Sequence, residues 1–283
     1  MFTLNCKGRL LKIEKPIVMG IINITTDSFY SGSRKANVDA ALSTAEKMLS
    51  EGAHILDIGG QSTRPGALNI GAEKELENVL PVIQAIVSKF PETFVSIDTY
   101  FASVAKQAVE AGAHIVNDIS GGNLDKNMLQ TIGSLHVPYI CMHTKGTPEI
   151  MQQLVHYENV TLEILDYFIK KIEECRLAGI TDVVIDPGFG FAKNTEQNFE
   201  LLKNLQLFSM LQKPLLVGLS RKNIIYKTLK TTPENALNGT TVLNTVALQN
   251  GAHILRTHDV KEAVEAVELM QHIISQTPSS PAL

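Results

Sequence analysis

Eight short apolar runs alternate with longer amphipathic segments through almost all of the 283 residues, and each run turns polar at its C-terminal end alone. Parallel strands buried on both faces read as near-continuous apolar runs, and the helical segments between them supply the crossovers that parallel pairing needs. Eight such units in this length predict an α/β fold of the (β/α)8 type, a TIM barrel with a short N-terminal hairpin. An open doubly wound sheet is the competing arrangement. Its dinucleotide-binding form is weakened because no G-x-G-x-x-G opens the first helix.

The chain up to about Glu14, within residues 1–15, is expected to form a hairpin plugging the N-terminal end of the barrel. Strands follow at "IVMGIIN" (17–23), "HILDIGG" (54–60), "FVSIDT" (94–99) and "HIVNDIS" (114–120). Four more are "PYICMHT" (138–144), "DVVIDPG" (182–188), "PLLVGLS" (214–220) and "HILRTHD" (253–259). Segments such as "NVDAALSTAEKMLSEG" and "VTLEILDYFIKKIEECRLAG" place apolar residues near a 3.6 period and read as helices. Pro81 interrupts "EKELENVLPVIQAIVSKF", so that helix is expected to bend or divide there. "EGAHILDIGG", "AGAHIVNDIS" and "NGAHILRTHD" echo one another: a Gly suited to a left-handed helix C-cap, then Ala-His, then a strand. Their uneven spacing marks recurring βα logic rather than a tandem repeat. One domain, 1–283, is expected, ending in a loose tail at 276–283.

A net charge of −4 and a pI near 6.1 give no electrostatic case for nucleic acid or an anionic membrane surface. Cys6, Cys141 and Cys175 are odd in number and lack C-x-x-C spacing, which reads as free thiols in a reducing cytoplasm. The N-terminus lacks the build of a signal peptide, and no apolar run approaches the roughly 18 residues needed to span a bilayer.

The strand ends carry the functional information. Asn23 ends the first run, Asp57 sits late in the second, Asp98 ends the third, and Asn117 and Asp118 occupy the fourth. His143 ends the fifth, Asp186 the sixth, Ser220-Arg221-Lys222 follows the seventh, and Arg256 and His258 end the eighth. Any one of these has a structural explanation, because Asp and Asn after a strand cap helices or close Asx-turns. Eight ends meeting at one barrel mouth are harder to explain that way. Asp57 and Asp118 read as scaffold acids inside the barrel. His54, His114 and His253 begin strands at the far end and read as structural, and His136, His156 and His272 carry no site expectation. The mouth is expected to divide chemically. Asp98, Asn117 and Asp186 suit a ligand edge rich in N–H donors, and Arg256, His258 and Lys222 suit phosphates.

At these residues the chain resembles the dihydropteroate synthase family, a group of pterin-binding TIM barrels. The matching segments are "MGIINITTDSF", "DIGGQSTRPGA", "SIDTY", "NDISGG", "DPGFGFAKN", "GLSRKN" and "LRTHDV", in order and over nearly the whole chain. The resemblance implies condensation of p-aminobenzoate with 6-hydroxymethyl-7,8-dihydropterin diphosphate in the folate pathway, with Mg2+ as cofactor. It implies that Asp98, Asn117 and Asp186 hold the pterin edge, with Lys222 between the two substrates. Arg256 and His258 would hold the diphosphate, and Asn23 would coordinate the Mg2+. Thr63 and Arg64 would lie in a second mobile loop with Ser62 and Pro65, and Asp27 in the first. Phe191 would flank the aromatic second substrate, with plain core packing as its alternative. The family's habits further imply a cytoplasmic homodimer and a sulfonamide target.

Departures from the usual pattern are Thr26 for a proline, Ser31 for a second loop aspartate, Ala192 for a glycine and Asn223 for a serine. They bear on the first loop and on the second substrate's carboxylate. The rivals are a pterin-dependent methyltransferase domain, which has no use for a diphosphate clamp, and a non-catalytic pterin binder.

Overall fold

The computed structural model describes residues 1–24, 34–61 and 69–275. Strands β1 (Phe2–Cys6) and β2 (Arg9–Ile13) pair antiparallel with Phe2 opposite Ile13. They are joined by Lys7-Gly8 with φ of 57° and 86°, the left-handed pair that a two-residue hairpin turn requires.

The eight barrel strands are β3 (Ile17–Asn23), β4 (Ile55–Gly59), β5 (Phe94–Asp98), β6 (Ile115–Asp118), β7 (Tyr139–Met142), β8 (Val183–Asp186), β9 (Leu216–Val217) and β10 (Ile254–Thr257). Each lies inside an expected apolar run. All pair in parallel in the order β8-β7-β6-β5-β4-β3-β10-β9, and a bridge between Ile185 and Leu215 joins the two ends into a closed barrel. Closure removes the open doubly wound alternative.

The helices are α1 (Arg34–Ser50), α2 (Ala72–Lys89), α3 (Ala102–Glu110), α4 (Met128–Leu135), α5 (Val160–Leu177), α6 (Thr195–Lys203), α7 (Asn223–Thr228), α8 (Leu237–Gln249) and α9 (Val260–Ser275). Helix α2 continues through Pro81 without dividing. Proline removes one backbone donor, but Val79, Val82, Ile83 and Ile86 on either side of it are buried in the core, and that packing holds the helix together.

The hairpin stoppers the barrel. Leu4, Cys6, Leu11 and Ile13 pack in one cluster with Ile17, Met19, Ile55, Ile115, Ile140, Val184, Leu216 and Ile254, residues of seven of the barrel strands. With that end filled, the C-terminal strand ends are the face left for chemistry.

The three echoed segments share one device. Gly52, Gly112 and Gly251 take φ of 97°, 116° and 91°, turning each chain from helix to strand. The histidine two residues on then pairs twice with the neighbouring strand. His54, His114 and His253 donate their N–H to the carbonyls of Val18 (2.9 Å), Val95 (2.7 Å) and Leu215 (2.8 Å). Their Nδ1 atoms accept from the N–H groups of the same residues at 3.4, 3.2 and 3.2 Å. Burial lowers the pKa of all three, His114 to about 4, keeping the rings neutral as acceptors.

Cys6, Cys141 and Cys175 are buried free thiols. Among the described residues no helix is long and apolar enough to cross a membrane.

Candidate active site

Parallel register sets one rung of residues across four adjacent strands. Asn23 lies beside Gly59, Gly59 beside Asp98, and Asp98 beside Asn117. Gly59 leaves a gap in that rung. A Cβ there would lie 3.5 Å from Asn23 Oδ1 and 3.6 Å from Asp98 Oδ2, so the amide and the carboxylate flank a bare backbone face.

Arg256 crosses from β10 into the middle of the mouth. Its Nε donates to Asp57 Oδ2 at 2.6 Å, and its Nη2 to Asp98 Oδ2 at 2.6 Å. Asn117 Nδ2 donates to the same Asp57 oxygen at 3.0 Å. Asp57 is thus a scaffold acid, as expected, and also the link that ties two site residues together. Burial pushes the Asp98 carboxyl up to about 7 against the pull of Arg256, with Asp57 and Asp118 adding to the rise. Burial alone would lower the Arg256 pKa, but Asp57 and Asp98 outweigh it and the guanidinium stays charged. Asp57 Oδ1 and Asp98 Oδ1 are buried and have no donor.

Asp186 and Lys222 complete the interior. Asp186 Oδ1 accepts from the Gly188 N–H at 2.8 Å. Burial raises the carboxyl's pKa while Lys222 and the Gly188 N–H oppose the rise. Lys222 Nζ donates to the Phe189 carbonyl at 2.6 Å and stands 4.9 Å from the centre of the Phe191 ring. Burial brings its pKa down to about 8, with Asp186 holding it up. Phe191 is half-buried and packs against the small cluster of Tyr100, Ile119 and Met142. Asn223 faces the same loop: a Cβ at Gly190 would lie 3.7 Å from its Oδ1.

At the outer rim Ser220 Oγ and His258 Nδ1 are 3.0 Å apart, and the His258 N–H donates to Ser220 Oγ at 3.2 Å. Arg221 braces these loops. Its Nε and Nη2 reach the two Asp259 oxygens at 2.9 and 2.7 Å, and its Nη1 reaches the Pro233 and Glu234 carbonyls. Asp118 is saturated by Tyr139 OH and the N–H groups of Ser120 and Gly122, each at 2.7 Å, as a scaffold acid should be.

The expected split into an acidic and a basic sector is corrected in one respect. Asp98, Asn117, Asp186, Lys222 and Arg256 do come together, but Arg256 sits among the acids rather than opposite them. Two carboxylates buried without a counter-charge would cost several kcal/mol each, so the guanidinium neutralises them in place. Asp27, Ser62, Thr63, Arg64 and Pro65, with the departures Thr26 and Ser31, lie outside the described residues.

Sequence reasoning passed over two groups. Lys193 is buried between His143 and the loop after β8. Its signal was present, because "GFGFAK" carries the lysine within the quoted motif. Glu75, at 1% exposure in the first turn of α2, accepts from Thr99 Oγ1 at 3.2 Å, and burial together with Asp98 raises it to about 8. Beside it Gln61 donates to Tyr100 OH. Nothing in the local sequence distinguishes Glu75 from the solvated acids next to it on the helix.

Among the described residues no cluster of three or more His, Cys, Asp or Glu could hold a metal alone. Asn23 Oδ1 at the Gly59 gap fits Mg2+, which prefers hard oxygen ligands and fills most positions with water and substrate phosphate; Asp98 Oδ2 beside the gap is already engaged by Arg256.

A family model for pterin binding enzymes matches residues 19–258. The dihydropteroate synthase of Escherichia coli K12 is 40% identical over 271 residues, covering 95% of each chain. The Yersinia pestis dihydropteroate synthase, solved with a sulfonamide drug complex, superposes with a TM-score of 0.91 at 39% identity, covering 97% of this chain and 100% of that one. The Xanthomonas albilineans dihydropteroate synthase, solved with 4-aminobenzoic acid, gives a TM-score of 0.91 at 38% identity, with 97% and 99% covered.

Proposed function

The chain belongs to the pterin-binding enzyme family, and on that footing we infer that it is a transferase of folate biosynthesis, a dihydropteroate synthase. It joins p-aminobenzoate to 6-hydroxymethyl-7,8-dihydropterin diphosphate, giving 7,8-dihydropteroate and pyrophosphate. One observation carries the reading of the site: buried carboxylate oxygens of Asp98 and Asp57 lack donors beside a guanidinium that spans both residues. Buried acceptors left unmade are costly, and the 2-amino and ring N–H edge of a pterin offers the missing donors as charge-assisted bonds. Asp98, Asn117 and Asp186 take that edge.

Arg256 Nη1 has no hydrogen-bond partner among the described residues, and with His258 it is assigned to the diphosphate. Lys222 stands between the substrates, and Phe191 and Asn223 border the aryl amine. The roles of Asp27, Ser62, Thr63, Arg64 and Pro65 rest on the motif match alone. Asn23 is the protein ligand for Mg2+, which when bound supplies charge neutralisation to the diphosphate.

In the reaction the bond from the exocyclic methylene carbon to the diphosphate oxygen breaks, and its electron pair leaves on pyrophosphate. The aryl amine lone pair forms the new C–N bond, and the amine proton passes to water. Arg256 and His258 stabilise the leaving group's charge, while Asp98 and Asp186 stabilise the cation left on the pterin when the bond breaks early. The test is to mix the purified protein with pterin diphosphate and Mg2+, with and without p-aminobenzoate. Dihydropteroate and pyrophosphate in equal amounts are expected, and slow formation of hydroxymethylpterin without the amine. No dihydropteroate would sink the assignment. Diphosphate release strictly dependent on p-aminobenzoate would sink only the early-cleavage order.

Three further assignments belong to the same reading. Sulfonamides compete with p-aminobenzoate, checked by whether its addition relieves their inhibition. The protein works in the cytoplasm, in keeping with its three unpaired thiols, which fractionation would check. It forms a homodimer through α8 and α9, where Val242, Leu269 and Ile273 are 52%, 67% and 66% exposed.

A further inference from the structure

Lys193 ends the loop that follows β8, and only 1% of it is exposed. Its Nζ lies 3.0 Å from the Gly188 carbonyl, 2.9 Å from the Phe191 carbonyl and 3.1 Å from His143 Nδ1. Three acceptors surround Nζ, matching the three N–H donors of an ammonium; burial lowers this group's pKa well below the usual lysine value, and Asp186 opposes the drop. Two acceptors lie on the loop itself, so the side chain draws residues 188–193 into a closed ring. The third lies on His143, whose own N–H donates to the Asp186 carbonyl at 2.9 Å and so anchors the ring to the end of β8. Burial, reinforced by Lys193 and Lys145, keeps the His143 imidazole neutral, leaving Nδ1 a lone pair for the ammonium. The fit is tight: a Cβ at Gly188 would stand 2.0 Å from the His143 carbonyl oxygen.

What the ring holds matters for the mouth. The Phe189 carbonyl is the acceptor for Lys222 Nζ at 2.6 Å, and the Phe191 ring lies 4.9 Å from the same atom. Both are carried on the stretch that Lys193 ties at each end. Of the groups assigned to the pterin edge and the diphosphate, Asn23, Asp98, Asn117, Arg256 and His258 lie on or just after β3, β5, β6 and β10, apart from the loop. Asp186 alone touches it, through the Gly188 N–H, and its backbone is held by the pairing of β8 with β7.

We propose that Lys193, backed by His143, is a positioning residue for the second substrate: it fixes the Phe191 ring and the Lys222 ammonium where the aryl amine enters. This rests on the reading of Phe191 and Lys222 as the border of that subsite.

The test compares KM values for the two substrates in wild type and Lys193→Met, which keeps the side chain's bulk and removes its donors. A KM for p-aminobenzoate raised roughly tenfold is expected, with the KM for pterin diphosphate within about twofold of wild type. If Lys193→Met does not fold, His143→Leu and His143→Asn decide instead. Leu removes the acceptor and should raise the KM for p-aminobenzoate, while Asn keeps an acceptor and should restore it. An unchanged KM for p-aminobenzoate, or a parallel rise for both substrates, would overturn the proposal while the wild type stays active. A wild type that makes no dihydropteroate would overturn the substrate reading, and this proposal with it.

Discussion

Asp98 must be ionised to accept from the pterin edge, and its carboxyl is raised to about 7, so kcat/KM for pterin diphosphate should fall as pH drops below that value. Lys222 must be protonated and is lowered to about 8, so the same parameter should fall again above it. A pH–rate profile checks both limbs. A flat profile from pH 6 to 9 would show that neither group titrates in the free enzyme. The polar strand ends that carry these groups are legible one by one, because an apolar run that turns polar at one end only leaves few places for a site. Their pairing is not. That Arg256 lies between Asp57 and Asp98 depends on register across β5, β4, β3 and β10, which no local window contains. Lys193 is likewise readable as a letter of its motif but not as a buried staple.

At the scale of elements, each of the eight strands fell within its expected run, because parallel barrel strands carry an unbroken apolar signal. The fate of Pro81 was not readable, since it turned on how much of α2 is buried on either side. The three Gly-Ala-His junctions read as structural and are so, although nothing in the local sequence marks the ring as an acceptor for the neighbouring strand. His114 is raised in no state: its folded pKa is about 4, below the ordinary value of 6.5. A histidine depressed on folding binds more protons in the unfolded chain, so stability is full above about 6.5 and is lost as pH falls toward about 4. Urea unfolding of wild type and His114→Leu at pH 7.5 and pH 5 tests this. At pH 7.5 the substitution should cost about 1–3 kcal/mol for the unpaired Val95 N–H, and the gap should narrow at pH 5. A gap independent of pH would contradict a titrating acceptor.

The whole molecule was the most legible level, since eight alternating units fix a barrel almost by count, and an apolar N-terminal hairpin has one open end to fill. What surrounds the barrel was less so. Leu269 and Ile273 stand one turn apart on α9 and share an exposed face, and Val242 of the adjoining helix α8 is exposed as well. A homodimer through that face should sediment at twice the chain mass of 31.0 kDa, and Leu269→Glu should return it to a monomer. A monomer at micromolar wild-type protein would remove the assignment. The barrel mouth as a pterin diphosphate site is tested by calorimetric binding of that substrate to wild type and Asp98→Asn. Affinity is predicted to fall roughly 100-fold, about 2.7 kcal/mol, because the amide supplies a donor where the pterin edge also donates. Equal affinity for the two proteins would contradict it.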